Sequence, residues 1–287
     1  MQIRDRVVIV TGASSGIGRE TARQFVASAA HAVLASRNRE KLEALAEELA
    51  PLPGRTLVVP TDVTDRLAVE ALTRRTVEEF GAIDVLVNNA GFGVFAPIAG
   101  GNQENMRRMF EVNFWGAINC IQAVVPYMQA QRRGHIVNVA SIAARVATPY
   151  LGVYSATKFA LRAVSDALRI ELAGSGIHVS TIYPGLTQTS FTENMVQEVP
   201  APRFPPVVRF VSPSLVARRI VQAVRWNLRD VYVSPEDVGA VLANAFAPFA
   251  VDWVFRAFLG AQEASRPGLE LGEEKEGERF APDPEPN

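Results

Sequence analysis

The sequence predicts an α/β fold: a doubly wound parallel sheet of about seven strands with helices on both faces. Three observations predict it. Short apolar runs alternate with amphipathic helical stretches along most of the 287 residues, as in βα units whose sheet is covered on both sides. A glycine-rich turn separates the first run from the first helix. No internal repeat and no linker divides the chain into two cores.

The elements follow in order. An apolar strand at 7–10 leads through the glycine-rich turn to a helix at 19–29. A second strand at 32–35 precedes a helix at 39–49, where Leu42, Leu45, Ala46 and Leu49 share one face at helical spacing. Further strands are expected at 56–59, 85–87, 136–140, 179–183 and 231–233, with a long helix at 104–128. His31, His135 and His178 stand just before or within such strands and read as structural positions. Right-handed crossovers place ligands at the carboxyl ends of the strands.

Composition narrows the function. Apolar residues at 48% and charged residues at 21% are ordinary for a globular domain. A net charge of −1 with no basic block argues against nucleic acid as a partner. The single Cys120 excludes an internal disulfide, and three scattered histidines give no metal cluster. The first residues lack the apolar stretch of a signal peptide, so a cytoplasmic location is expected.

Two regions break the rhythm. Residues 186–213 carry Pro200, Pro202, Pro205, Pro206 and Pro213, and a long irregular segment after a strand end is expected to be functional or mobile. Residues 238–259 are apolar, but Pro248, Asp252 and Arg256 argue against a simple membrane span. That stretch could be an oligomer contact or core, a cover for a pocket, or a membrane-surface contact. The chain thus divides into a main domain at 1–237, an apolar helical extension at 238–261 and a disordered acidic tail at 262–287.

The glycine-rich turn reads as a phosphate cradle rather than a merely tight structural connection. Helix N-termini carry unpaired N–H groups and partial positive charge. Gly12, Gly16 and Gly18 let backbone approach a pyrophosphate between the first strand and helix. At the end of the second strand the chain has Ser36 and Arg37 and no carboxylate. Arginine suits a ribose 2′-phosphate, so NADP(H) is favoured over NAD(H). Tyr154 and Lys158, four apart, share a helix face. A free phenol has a pKa of roughly 10, and an adjacent ammonium lowers it. Ser141, at a strand end, could bind a substrate oxygen.

With these residues in place, the chain resembles the short-chain dehydrogenase/reductase family, in its compact single-domain branch, over about residues 6–235. Thr11, Gly12, Ala13, Ser14, Ser15, Gly16, Ile17 and Gly18 match its TGxxxGxG motif. Asp62 and Val63 match the adenine contact, and Asn88, Asn89, Ala90 and Gly91 the NNAG segment. Asn113, Ser141, Tyr154 and Lys158 match the catalytic tetrad. Pro184, Gly185 and Thr189 match the stretch that holds the nicotinamide carboxamide, with Thr187 where a branched apolar residue is common. Ser15 stands where NADP-preferring members often have a basic residue.

The resemblance implies a Rossmann-type sheet and an oxidoreductase. Tyr154 would be the general acid in reduction and the base in oxidation. Lys158 would lower its pKa and bind the nicotinamide ribose, Ser141 would polarise the carbonyl, and Asn113 would hold a water for proton supply. Phe92, Val94, Phe95, Val146, Leu151, Phe191 and Met195 would line an apolar pocket for a hydrophobic ketone, aldehyde or alcohol. Phe114, Trp115 and Cys120 lie on the helix that commonly packs subunits in the family, so a homodimer or homotetramer is expected. The alternatives are a non-catalytic NADP(H)-binding sensor or scaffold, disfavoured by the complete tetrad, and a sugar-nucleotide epimerase, disfavoured by glycine spacing.

Overall fold

The computed structural model describes residues 1–189, 191, 195–200 and 210–264. Seven parallel strands form one sheet: β1 (Val7–Thr11), β2 (His31–Ser36), β3 (Thr56–Pro60), β4 (Val85–Asn88), β6 (Gly134–Val139), β7 (Ile177–Tyr183) and β9 (Asp230–Tyr232). Their order is β3-β2-β1-β4-β6-β7-β9. The chain leaves β1 outward in one direction and returns to build in the other, so a crevice opens between β1 and β4 at the carboxyl ends of the strands.

Alternation along β1 shows how the layers form. Val8 and Val10 face one core with Phe25 and Val26 of α1 (Gly16–Ala27), Leu42, Leu45 and Leu49 of α2 (Arg39–Leu49) and Ile220 of α7 (Pro213–Trp226). Val7 and Ile9 face the other. There they meet Leu72 of α3 (Arg66–Phe80) and Ile121 and Val124 of α5 (Gly116–Gln131). Such strands read as continuous apolar runs because both sides are buried.

The expected long helix at 104–128 is interrupted. It comprises α4 (Gln103–Phe110), a π-helical turn (Glu111–Trp115) and α5, with the Gly116 N–H reaching back five residues to the Glu111 carbonyl. Asn113 sits in that turn, and insertions of this kind commonly occur at functional sites. Cys120 faces the core, and burial pushes its thiol up to about 12. It is therefore no subunit contact, whereas Trp115 is half exposed. The first helix begins at Gly16, three residues before the expected start, because the cradle glycines form its first turn.

Two short strands were not anticipated: β5 (Val94–Phe95) and β8 (Val196–Gln197) pair in parallel. They tie part of the proline-rich segment to the loop after β4; residues 190, 192–194 and 201–209 of that segment lie outside the described residues, as does the sequence beyond 264. The apolar extension forms α8 (Pro235–Phe246) and α9 (Pro248–Ala264), bent by 116° at Ala247. Among the described residues no single helix is long and apolar enough to cross a membrane.

Candidate active site

Every site residue picked from the sequence lies at, or just beyond, the carboxyl end of a sheet strand or on a helix bordering that crevice. At β1 the chain turns sharply, with φ of +65° at Gly12 and +53° at Gly16. A Cβ on Gly18 would stand 2.3 Å from the Gly12 carbonyl oxygen, so only glycine lets α1 close onto the turn. Asn89 locks the turn by donating through Nδ2 to the carbonyls of Thr11 (3.0 Å) and Gly12 (3.3 Å). The Thr11 hydroxyl accepts from the N–H groups of Asn89 and Ala90, both at 3.0 Å. Ser15 is the N-cap of α1, but its side chain makes no capping bond. The first N–H groups of α1, beside Ser14 and Ile17, thus stay available to an anion.

The neighbouring strand end has a second opening. Among the described residues the Ser36 hydroxyl is buried without a hydrogen-bond partner, next to the exposed Arg37. Across from it, Asp62 accepts from the Thr64 N–H (3.0 Å) and hydroxyl (2.7 Å). Burial pushes the Asp62 carboxyl up, but the Thr64 bonds and the charges of Arg37 and Arg108 outweigh it and hold it below its ordinary range. Arg108, on α4, was not picked out from the sequence; its guanidinium carbon lies 6.0 Å from the centre of the Phe92 ring. Only its place in the last turn of a helix, where cations are favoured, could have drawn attention to it. Val63 is buried, and its carbonyl accepts from Asn119 Nδ2 at 3.0 Å.

Asn113, Ser141, Tyr154 and Lys158 converge deeper in the crevice. Tyr154 and Lys158 lie on the buried face of α6 (Gly152–Glu171), with Lys158 Nζ 5.8 Å from the phenol ring centre. The ammonium donates to the Val139 carbonyl at 3.0 Å. Ser141 follows β6 and caps a short 3₁₀ turn (Ile142–Ala144), accepting from the Ala143 N–H at 3.1 Å. Asn113 clamps the loop after β4: its Oδ1 accepts from the Phe92 N–H and its Nδ2 donates to the Phe92 carbonyl, both at 2.9 Å. A Cβ on Gly91 would come within 2.9 Å of Asn113 Oδ1. Thr189 closes the ring, since its methyl would sit 3.2 Å from a Cβ on Gly16.

One electrostatic expectation needs correction. Burial pushes the Tyr154 phenol up to about 12, and the neighbouring Ser141 hydroxyl is what opposes it. Burial also lowers Lys158 to about 8. The ammonium is directed at a carbonyl rather than at the phenol oxygen, so desolvation of the phenolate dominates.

The apolar pocket is partly as expected. Phe92, Val94, Leu151 and Phe191 gather around Tyr154, and the Phe191 ring centre is 5.7 Å from that of the tyrosine. Met195 borders Gly93. Phe95 lies on the opposite side of its short strand and packs against Tyr150 at 5.3 Å, and Val146 is buried outside this cluster. Adjacent residues on a strand cannot share a face. Two further polar side chains were missed. Asp237 of α8 is buried so close to Gly185 that a Cβ there would lie 2.2 Å from its Oδ1. Asn244 donates from the same helix to the Arg145 carbonyl at 3.2 Å. Asp237 closes a capping box with Ser234, a spacing that marks a helix start rather than a site, and Asn244 belongs to no spaced motif; only the fold brings α8 to this site.

A family model for short chain dehydrogenases matches residues 6–200. The chain belongs to the short-chain dehydrogenase/reductase family. It is therefore an oxidoreductase by family, with the Rossmann-like sheet that the strand order shows. Among relatives, it is 38% identical to the oxidoreductase SSP1627 of Staphylococcus saprophyticus over 67% of this chain and 78% of that one. It is 36% identical to the glycine betaine reductase ATRR of Emericella nidulans over 81% of this chain, but the match spans only 19% of that protein. An alcohol dehydrogenase from Thermococcus sibiricus, solved with 5-hydroxy-NADP, superposes with a TM-score of 0.70 at 26% identity, over 79% of this chain and 94% of that one. A Burkholderia phymatum family member solved with NAD superposes at 0.78 and 24% identity, over 85% and 94%, and supports the fold.

Proposed function

We propose that the protein is an NADP(H)-dependent oxidoreductase that interconverts a hydrophobic ketone or aldehyde and its alcohol. The observation that carries this reading is the placement of the Tyr154 phenol. It lies between the Ser141 hydroxyl, the Lys158 ammonium and an apolar wall of Val94, Leu151 and Phe191.

The cradle of Gly12, Ser14, Ser15, Gly16, Ile17 and Gly18 would hold the pyrophosphate on the N–H groups of α1. Ser36 and Arg37 would take the 2′-phosphate, which the unpartnered Ser36 hydroxyl and the lack of a carboxylate there support. Asp62 and Val63 would flank the adenine, and Asn89, Gly91, Pro184, Gly185, Thr187 and Thr189 would hold the nicotinamide half. When bound, the nicotinamide supplies or accepts the hydride. Ser141 would donate a hydrogen bond to the substrate oxygen. Tyr154, kept protonated by burial, would give that oxygen its proton during reduction. Lys158 would favour the phenolate left behind and bind the nicotinamide ribose, while Asn113 fixes the loop that carries Gly91.

The test is oxidation of NADPH, then of NADH, with decanal, acetophenone and cyclohexanone, by wild type and Tyr154→Phe. Wild type should consume NADPH in preference and Tyr154→Phe should be inactive while still binding NADPH. Full activity in Tyr154→Phe, or no turnover of any carbonyl by wild type, would overturn the reading.

A further inference from the structure

Four residues after Ser141, Arg145 makes contacts that no catalytic motif accounts for. Its guanidinium carbon lies 4.8 Å from the ring centre of Tyr183 and 5.9 Å from that of Tyr232, two rings stacked at 5.0 Å. Nη2 donates to the Tyr183 hydroxyl at 3.3 Å and lies 3.7 Å from Asp230 Oδ1. The same Tyr183 hydroxyl donates to Asp230 at 2.8 Å. Tyr183 is fully buried and immediately precedes Pro184 and Gly185.

The backbone ties the same two segments together. The Ile142 N–H donates to the Pro184 carbonyl at 2.9 Å, and the Ser141 hydroxyl reaches that carbonyl at 3.4 Å. The Arg145 N–H returns to the Ile142 carbonyl at 2.8 Å and closes the 3₁₀ turn. From outside, Asn244 of α8 holds the Arg145 carbonyl and Asp237 packs on Gly185. A planar guanidinium can stack on rings and bind a carboxylate at once, which an ammonium cannot match.

We propose that Arg145 is a positioning residue: it holds the Ser141 turn against the Pro184–Gly185 turn, so that substrate oxygen and nicotinamide meet in register. The proposal rests on the assignment of Ser141 and Tyr154 made above. Misplacement of reacting groups by about 1 Å can slow a reaction on the order of a hundredfold. A merely structural arginine would instead change how many molecules are folded.

Single-turnover hydride transfer separates these cases, using full-length protein preloaded with NADPH and the fastest carbonyl of the panel. The amplitude reports the fraction of competent protein and the rate constant reports geometry. Arg145→Met should slow the rate constant by about tenfold to a hundredfold with most of the amplitude retained. Arg145→Lys, which keeps the charge, should recover part of the rate, and Asp230→Asn should slow it to a smaller degree. A wild-type rate constant in both Arg145→Met and Arg145→Lys, whatever the amplitude, would overturn the positioning role. If Arg145→Met fails to fold, the Arg145→Lys and Asp230→Asn rate constants decide. Tyr154→Phe run alongside keeps the two readings apart: hydride transfer in that variant would overturn the site assignment itself.

Discussion

The two ends of the sheet treat buried charge in opposite ways. At the amino end, Asp84 is nearly inaccessible and fully answered. It accepts from the Val7 N–H (3.0 Å), Arg133 Nε (2.8 Å) and Arg6 Nη1 (3.3 Å). At the carboxyl end, Lys158 is equally buried but has a single carbonyl partner and, among the described residues, no ion pair. A neutralised charge holds segments together, whereas one left uncompensated is free to interact with a reacting group. The same desolvation that lowers Lys158 to about 8 is a stability penalty that the architecture elsewhere avoids.

The sharpest way to break this contrast is to exchange the lysine for an apolar side chain of similar length. Lys158→Met should reduce turnover by at least about a hundredfold, the range of positioned proton-transfer groups. It should leave the urea midpoint no lower than in wild type, because a buried ammonium is removed. A loss of stability matching the loss of activity would show that Lys158 is a structural tie like Asp84.

The converse substitution should do the opposite. Asp84→Asn removes the charge that both arginines and Val7 share, and hydrogen bonds to a charged group contribute roughly 1.5–3 kcal/mol. Because Arg6 and Arg133 can return to solvent, we expect destabilisation of about 2 kcal/mol and unchanged turnover per folded molecule. An activity loss beyond the folded fraction would mean that the two ends are coupled.

That contrast also explains what could be read from the sequence. The carboxyl end is built from local signals: glycines in a turn, a four-residue spacing on one helix, a hydroxyl at a strand end. Gly12, Gly16, Gly18, Tyr154 and Lys158 are therefore legible in the sequence itself. Partners far apart in the chain were not. Asp84 with Arg6 and Arg133, and Gly185 with Asp237, meet only after the crossovers are complete. Likewise β5 and β8 are two residues each, too short to show an alternation, and their pairing joins segments about a hundred residues apart. The π turn at Asn113 was hidden because one extra residue in a helical turn barely disturbs the apolar pattern.

An effect that shows only on acidification concerns a second buried group at the amino end, His135, and it sharpens the comparison because here burial is tolerated by neutrality. Its Nε2 lies 2.7 Å from the Ser180 hydroxyl, which itself donates to the Leu228 carbonyl. The ring must therefore donate through Nε2, leaving Nδ1 buried without a partner among the described residues. Burial, with the nearby His178 and the terminal ammonium, lowers its pKa from 6.5 to about 3, while Asn227 opposes the shift. The folded state thus refuses a proton that the unfolded chain accepts below 6.5. Stability is present above that value and lost progressively as pH falls towards about 3. The slope from this residue approaches about 1.4 kcal/mol per pH unit. In urea titrations at pH 7 and pH 5, His135→Phe should lose less stability on acidification than wild type does, by about 2 kcal/mol. Parallel pH dependence in the two proteins would mean that the histidine takes up its proton without disturbing the fold, and that neutrality is not how this end accommodates burial.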